Sequence, residues 1–214
     1  MKKLLYLLLF FPLLGYSTYY KGKITFNDNT IKEGLIEIPE YYSQKIKFKI
    51  DNDSKSEKFE IEFVKSFEIV NSKNDIVFFE TIILATPNVF NSEKLNIEKK
   101  KSWVRVVKKS KITLYSISEG WSNGVGVSPG ATSSTPYSKY YIKKPNTEYA
   151  IYFHMILGSS GLTIAINNFN SIGKTSKIIF GDDCPKILER INKEEFKTKG
   201  LVTIVDLYDE TCGD

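Results

Sequence analysis

Several residue types are scarce in this 214-residue chain. Histidine occurs once, at His154; cysteine only at Cys184 and Cys212; arginine only at Arg105 and Arg190. Structural zinc sites need about four nitrogen or sulfur ligands, and two thiols with one distant imidazole do not supply them. The cysteines are not in a C-x-x-C arrangement, so a thioredoxin-like redox pair is also excluded. No metal and no cofactor is expected. Bidentate capture of phosphate or carboxylate favours arginine, so two arginines argue against such a role. A strongly basic face is missing too. Lys+Arg number 30 against 25 Asp+Glu, a net charge of +5, too balanced for a nucleic-acid partner. Beyond residue 17 no apolar run reaches the roughly 20 residues of a membrane-spanning helix. The strongest stretches, 76–84 and 149–157, have strand length and carry polar residues.

The first seventeen residues are different. Lys2-Lys3 is a short basic start, 4–14 is an almost unbroken apolar run, and Gly15-Tyr16-Ser17 ends it with small residues at alternate positions. This is the pattern of a cleavable secretion signal, 1–17, cut ahead of Thr18. Eleven apolar residues containing Pro12 are too short for a span; a retained anchor is the alternative. No cysteine stands near the cut to accept a lipid. The expected location is therefore the periplasm, the cell envelope or the extracellular space. Without Lys2 and Lys3 the balance is 28 against 25, a charge of +3.

Export gives the cysteine pair a meaning. In an oxidising compartment an isolated pair is usually a disulfide, so Cys184 and Cys212 are expected to be bridged. The content of 42% hydrophobic and 14% aromatic residues fits a folded, β-rich chain.

Period-two alternation dominates from 20 to 157. The segment 20–38 reads as a hairpin turning at Asp28-Asn29. In a second hairpin Ile46, Phe48 and Ile50 alternate with lysines, and Phe59, Ile61 and Phe63 alternate with Lys58, Glu60 and Glu62. One face would be apolar, and the other would set a row of lysines against a row of glutamates. Further strands are expected at 67–70, 76–84, 103–107, 111–117, 138–143 and 148–157. The polar segment 88–101 and the Gly/Ser/Thr-rich segment 120–136 read as loops. After 157 the period changes. Residues 168–180 carry apolar side chains at helical spacing, Asp182-Asp183-Cys184-Pro185 reads as a capped helix start, and Leu201, Ile204, Val205 and Tyr208 form a final stripe. A bridge from Cys184 to Cys212 would clamp these helices together. The fold class is α+β: a mostly antiparallel β-sheet, sandwich or barrel-like, over 18–157, as one unit or as two with a break near 86–102, then a short helical tail over 158–214.

Sought chemistry is mostly missing. Gly173-Lys174-Thr175 lacks the glycine five residues earlier that a phosphate-binding loop requires; Asn168 stands there. Gly158-Ser159-Ser160-Gly161 lacks the spacing of a nucleophile elbow. Alternation gives His154 the same face as Tyr152 and Ile156, a sheet-face histidine and not a catalytic base. No catalytic residue is assigned. Aromatic residues near strand ends and loops, Trp121, Tyr137, Tyr140 and Tyr141, form a candidate surface for stacking on a glycan or anchoring a protein partner; the alternative is that they cover sheet faces.

The order of the 22–38 strand pair, the 46–50 strand, the 103–115 pair, Tyr140-Tyr141-Ile142-Lys143-Lys144 and a tail from Asp183-Cys184-Pro185 to Tyr208 and Cys212 resembles small exported proteins of Bacteroidetes-type Gram-negative bacteria. That resemblance implies an envelope location and a β-then-α layout, and transfers no catalytic residue. The functional expectation is an exported, non-catalytic binding or interaction protein. The alternative is a secreted hydrolase-like enzyme with an unrecognised site.

Overall fold

The structure is a computed structural model that describes residues 18–88, 94–119, 137–157 and 169–212. The expected secretion signal (1–17), the 120–136 loop with Trp121, and Ser159 lie outside these residues. Within them the chain is α+β. Ten strands form one sheet: β1 (Tyr19–Phe26), β2 (Ile31–Glu37), β3 (Lys45–Lys49), β4 (Glu57–Glu60), β5 (Val64–Val70), β6 (Ile76–Pro87), β7 (Leu95–Lys109), β8 (Thr113–Glu119), β9 (Tyr137–Lys143) and β10 (Tyr149–Leu157). Four helices complete the described chain: α1 (Phe169–Phe180), α2 (Lys186–Arg190), α3 (Lys193–Lys199) and α4 (Thr203–Cys212).

The strands run in the order β10-β9-β8-β7-β6-β5-β1-β2-β3-β4, and β10 also pairs with β6. That second pairing closes β6–β10 into a five-stranded ring. Each consecutive pair in the ring is antiparallel. With an odd number of alternating strands, the last must run in the same direction as the first. The closing pair is accordingly parallel, matching Tyr149, Ala150 and Ile151 with Ile83, Leu84 and Ala85. β6 therefore uses one edge twice, for β5 along 76–80 and for β10 along 83–85. Where β5 leaves β6, the Thr81 hydroxyl donates to the Val64 carbonyl at 2.8 Å, satisfying an acceptor that the ladder has released.

Where they close the ring, the strands are buried on both faces, which is why segments such as Ile82–Ala85 and Tyr149–Phe153 read as apolar runs. Sequence neighbours fall into opposite clusters. Leu84, Tyr115, Tyr141 and Ala150 join Ile82, Val104 and Ile117 in one. Ala85, Leu114, Ile142 and Ile151 join Phe153 and the helical residues Ile172, Ile179, Phe180, Ile187, Phe196, Ile204 and Val205 in the other. Period two sends the first set into the ring and the second beneath the helices. Each fully buried aliphatic or aromatic side chain contributes about 1.5–3 kcal/mol.

The β1–β5 half encloses its own core, with Ile24, Ile36, Ile46, Phe48, Phe67, Ile69 and Trp103 buried together. A tight approach builds it. Gly22 lies opposite Gly34, and a Cβ at Gly34 would collide with the Lys49 carbonyl oxygen and lie 2.7 Å from the Phe48 ring. Trp103 ties this half to β7: its indole Nε1 donates to the Ser43 carbonyl at 2.8 Å, and its backbone N–H donates to the Tyr41 carbonyl at 2.9 Å.

Several expectations need correcting. Residues 95–101 are not loop but the first half of β7. Leu95 packs against the helical cluster, but residues 96–100 are exposed on both faces, so alternation is lost, while the ladder still pairs Ile97 with Ala85 and Leu95 with Pro87. Of the region 86–102, β6 covers the part to Pro87 and β7 the part from Leu95. Ile61–Phe63 is a 3-10 turn and not strand; Ile61 is buried and Phe63 exposed. The lysine row meets a glutamate only at Lys45–Glu60, 2.8 Å apart. Lys47 lies opposite Lys58 and takes Glu37 of β2 instead, at 3.0 Å.

Cys184 and Cys212 are joined, with Cα atoms 5.9 Å apart, linking the residue before the Pro185 N-cap of α2 to the last residue of α4. The acidic cap expected for α2 is not made by a side chain. Asp183 pairs with Lys144 at 2.8 Å, fastening the clamp to the end of β9. α3, which the apolar pattern does not reveal, is capped by Asn192, whose side chain accepts from the Glu194 N–H at 2.8 Å. Lys108 of β7 and Asp206 of α4 form a second ion pair between sheet and helices.

The cross-link spans 28 residues, for which the chain-entropy model gives about 3–4 kcal/mol. Replacing both cysteines by alanine is expected to lower the unfolding free energy by about that amount. An unchanged denaturation midpoint would show that the bridge contributes nothing.

Candidate functional site

Ladder register lines up one side-chain row across six strands. Phe67 stands beside Phe79, Phe79 beside Arg105, Arg105 beside Ser116, Ser116 beside Tyr140, and Tyr140 beside His154. The β5–β7 end of the row is aromatic. The Phe67 and Phe79 rings stack with centroids 4.5 Å apart, and Trp103 meets Phe67 edge-on at 5.6 Å. The rest is polar and ends under α1.

Over the middle of this row lies a cleft of about 480 Å³. Its floor includes Val77, Phe79, Trp103, Arg105 and Ser116. One wall is the β2–β3 link, Ile38 to Tyr41, and another is the β5–β6 turn, Asn71 to Asp75. The turn is held by Asn71, whose Oδ1 accepts the Lys73 and Asp75 N–H groups at 2.8 and 2.9 Å and whose Nδ2 donates to the Asp75 carboxylate at 3.2 Å. The volume falls within the range of about 300–1,000 Å³ usual for ligand pockets.

The two arginines have separate fates. Arg190 is paired with Glu210 at 2.8 Å. Arg105 is exposed on the cleft floor and has no ion pair or hydrogen bond among the described residues. No sequence motif singles out Arg105 or Ser116. The available signal is phase: Arg105 shares the alternation of Trp103, so it sits in a core-facing register where a strand normally places an apolar residue.

The histidine shares a face with Ile156, as alternation suggests, but not with Tyr152. A bulge at Tyr152–His154 inserts an extra residue, and an inserted residue reverses the facing of the strand beyond it. Tyr152 packs with the ring interior. His154 is buried, and its Nδ1 lies 3.0 Å from the Ser171 hydroxyl of α1. It is a joint between sheet and helix. Of the proposed aromatic surface, Tyr141 is buried inside the ring and Tyr140 is half-buried against the helical cluster, on the opposite face. Tyr137 is half-buried with the Lys139 ammonium 5.3 Å from its ring centroid. These three do not make one surface, and Trp121 lies outside the described residues.

A second polar group occupies the ring side of β6. Glu80 accepts from Tyr115 at 2.5 Å and from Lys109 at 2.6 Å. Burial opposes ionisation of Glu80, but the hydrogen bonds from Lys109 and Tyr115 outweigh it and hold the carboxyl below its ordinary value. Burial, and then the bond to Glu80, push the Tyr115 hydroxyl well above its own. Every member has a partner, which marks a structural plug. Among the described residues no cluster of three His, Cys, Asp or Glu could hold a metal ion, and no helix is long and apolar enough to cross a membrane.

A closed β-ring carrying a cleft on its outer face and a disulfide-clamped helical cap defines a barrel-based scaffold. Residues 57–172, more than half of the chain, match the family model of the cytosine specific DNA methyltransferase replication foci domain, and the chain belongs to that family. The match runs from β4 through the whole ring to the first turn of α1. No curated protein and no solved structure matches.

Burial holds His154 below the ordinary imidazole value of 6.5. Below that value the unfolded chain binds more protons than the folded one, so stability falls as pH drops. Wild type is expected to lose stability between about pH 7 and about pH 5, and His154→Gln to lose less. Denaturant midpoints at both pH values measure this; equal losses in the two proteins would contradict a buried neutral imidazole.

Proposed function

We propose that this chain is an exported, non-catalytic binding module of a Gram-negative cell envelope, and that its working surface is the cleft over β6–β8. The carrying observation is the cleft itself, whose largely apolar floor holds a guanidinium that is unpaired among the described residues. Ligand sites are typically apolar hollows with a few placed polar groups. Support for export comes from the basic-apolar-small pattern of 1–17, from the joined cysteines, which persist in oxidising compartments, and from the resemblance to exported envelope proteins. His154, the one imidazole, is engaged by Ser171 beneath a helix, which favours binding over general-base chemistry at the cleft.

The second reading, favoured by the family name, is a role connected with DNA. Its electrostatic requirement is a basic surface, and the cleft offers Glu40 and Asp75 beside Lys73 and Arg105.

Two measurements test the proposal. Amide shifts during titration with a mixed-chemistry fragment library should cluster at Phe79, Arg105 and Ser116; shifts that avoid the cleft would refute it as the working surface. Anisotropy of labelled duplex DNA should stay flat at low and at moderate salt, and a salt-dependent rise would favour the second reading. For location, the chain expressed with its leader in a Gram-negative host should appear in the periplasm with the mass of 18–214. Uncleaved cytoplasmic protein would remove the export claim.

A further inference from the structure

We infer that the cleft captures a carboxylate carried on an apolar body, with Arg105 and Ser116 as the polar contacts and Phe79 and Val77 as the apolar ones. This inference rests on the reading of the cleft as the binding surface and adds the ligand class.

Three observations carry it. First, the polar groups are adjacent and unspent. Ser116 is the direct cross-strand neighbour of Arg105, and neither side chain has a hydrogen bond or ion pair among the described residues. A guanidinium and a hydroxyl side by side in one ladder row can donate together to a single anion, and a planar guanidinium matches the two oxygens of a carboxylate. Second, the neighbouring floor is apolar. Phe79 is the other cross-strand neighbour of Arg105, and Val77 is next on the same face of β6, so an anion bound at Arg105 would place its attached group on hydrocarbon. Third, the rim selects charge. Glu40 and Asp75 come from the two walls and outnumber Lys73 on the rim, and the remaining negative charge disfavours polyanions such as nucleic acid or phosphorylated ligands while one carboxylate at Arg105 is still compensated.

The carboxylate could belong to a fatty acid or to the C-terminus of an apolar peptide; the recognising chemistry is the same. The test follows amide shifts of the full mature chain with sodium octanoate, 1-octanol, and an Ala-Val-Leu tripeptide with a free or an amidated C-terminus. Octanoate or the free-acid peptide should shift Phe79, Arg105 and Ser116, and the neutral counterpart should bind about tenfold more weakly or worse. Arg105→Gln, on an exposed side chain and so not a folding risk, should abolish that preference, and Arg105→Lys should recover part of it. A fatty-acid ligand would favour octanoate, and a peptide ligand the free-acid tripeptide; either result supports the assignment. It is overturned if octanol or the amidated peptide binds the cleft as tightly as its acid, if Arg105→Gln leaves the preference intact, or if neither acid shifts the cleft. In any of these cases, cleft shifts from other fragments would leave the binding-surface reading standing, and their absence would remove both.

Discussion

One edge of β6 serves two partners, and much of the molecule depends on that division. Along 76–80 it holds β5 and through it the β1–β4 half; along 83–85 it receives β10 and closes the ring. Three residue pairs make a short parallel contact, and each backbone hydrogen bond nets only about 1 kcal/mol. Hydrogen bonding therefore does not hold the ring shut alone. Ala85 and Ile151, both in the closing pair, are buried beneath the helices together with Phe153. At about 1.5–3 kcal/mol per large buried side chain, packing supplies more than the ladder. The helical cap and the closure support each other, and the bridge from Cys184 to Cys212 holds the cap in place.

The same division positions the cleft. The ring interior buries one face of each ring strand, but β6, β7 and β8 have outer faces that the helices do not fully cover. The β2–β3 link reaches over them, anchored through Trp103 to Tyr41 and Ser43. Between link and ring remains a hollow with Arg105 on its floor. A guanidinium in a core-facing register is costly to bury without a partner, so the position is tolerated because the hollow leaves it solvated. Removing water there on ligand binding makes sense only if the ligand brings the opposite charge.

Much of the layout was legible in the residues. Alternation at Ile46-Lys47-Phe48 marks a strand with one solvated face, and helical spacing after 168 marks the change of class. Two cysteines flanking the tail were enough to expect the clamp. Other features depend on contacts distant in sequence. The run Ile82-Ile83-Leu84-Ala85 reads as a buried strand, but nothing local says that β10 will occupy its edge. Residues 96–100 lost their alternation because both faces of that arm are wet. A single inserted residue at the 152–154 bulge put His154 on the opposite face from Tyr152, which period counting cannot anticipate. The site was the least legible part. Arginine scarcity says nothing of position, and the structure adds where Arg105 stands relative to Trp103 and Ser116.

Ring closure is the claim on which cap, cleft and site all rest. Cross-strand nuclear Overhauser contacts between Ala150 and its neighbours and the 83–85 segment of β6 test it directly. Closure predicts contacts in parallel register, Tyr149 with Ile83 through Ile151 with Ala85, and slow amide exchange along this edge. An absence of such contacts, with β10 amides exchanging like those of a free edge strand, would contradict it.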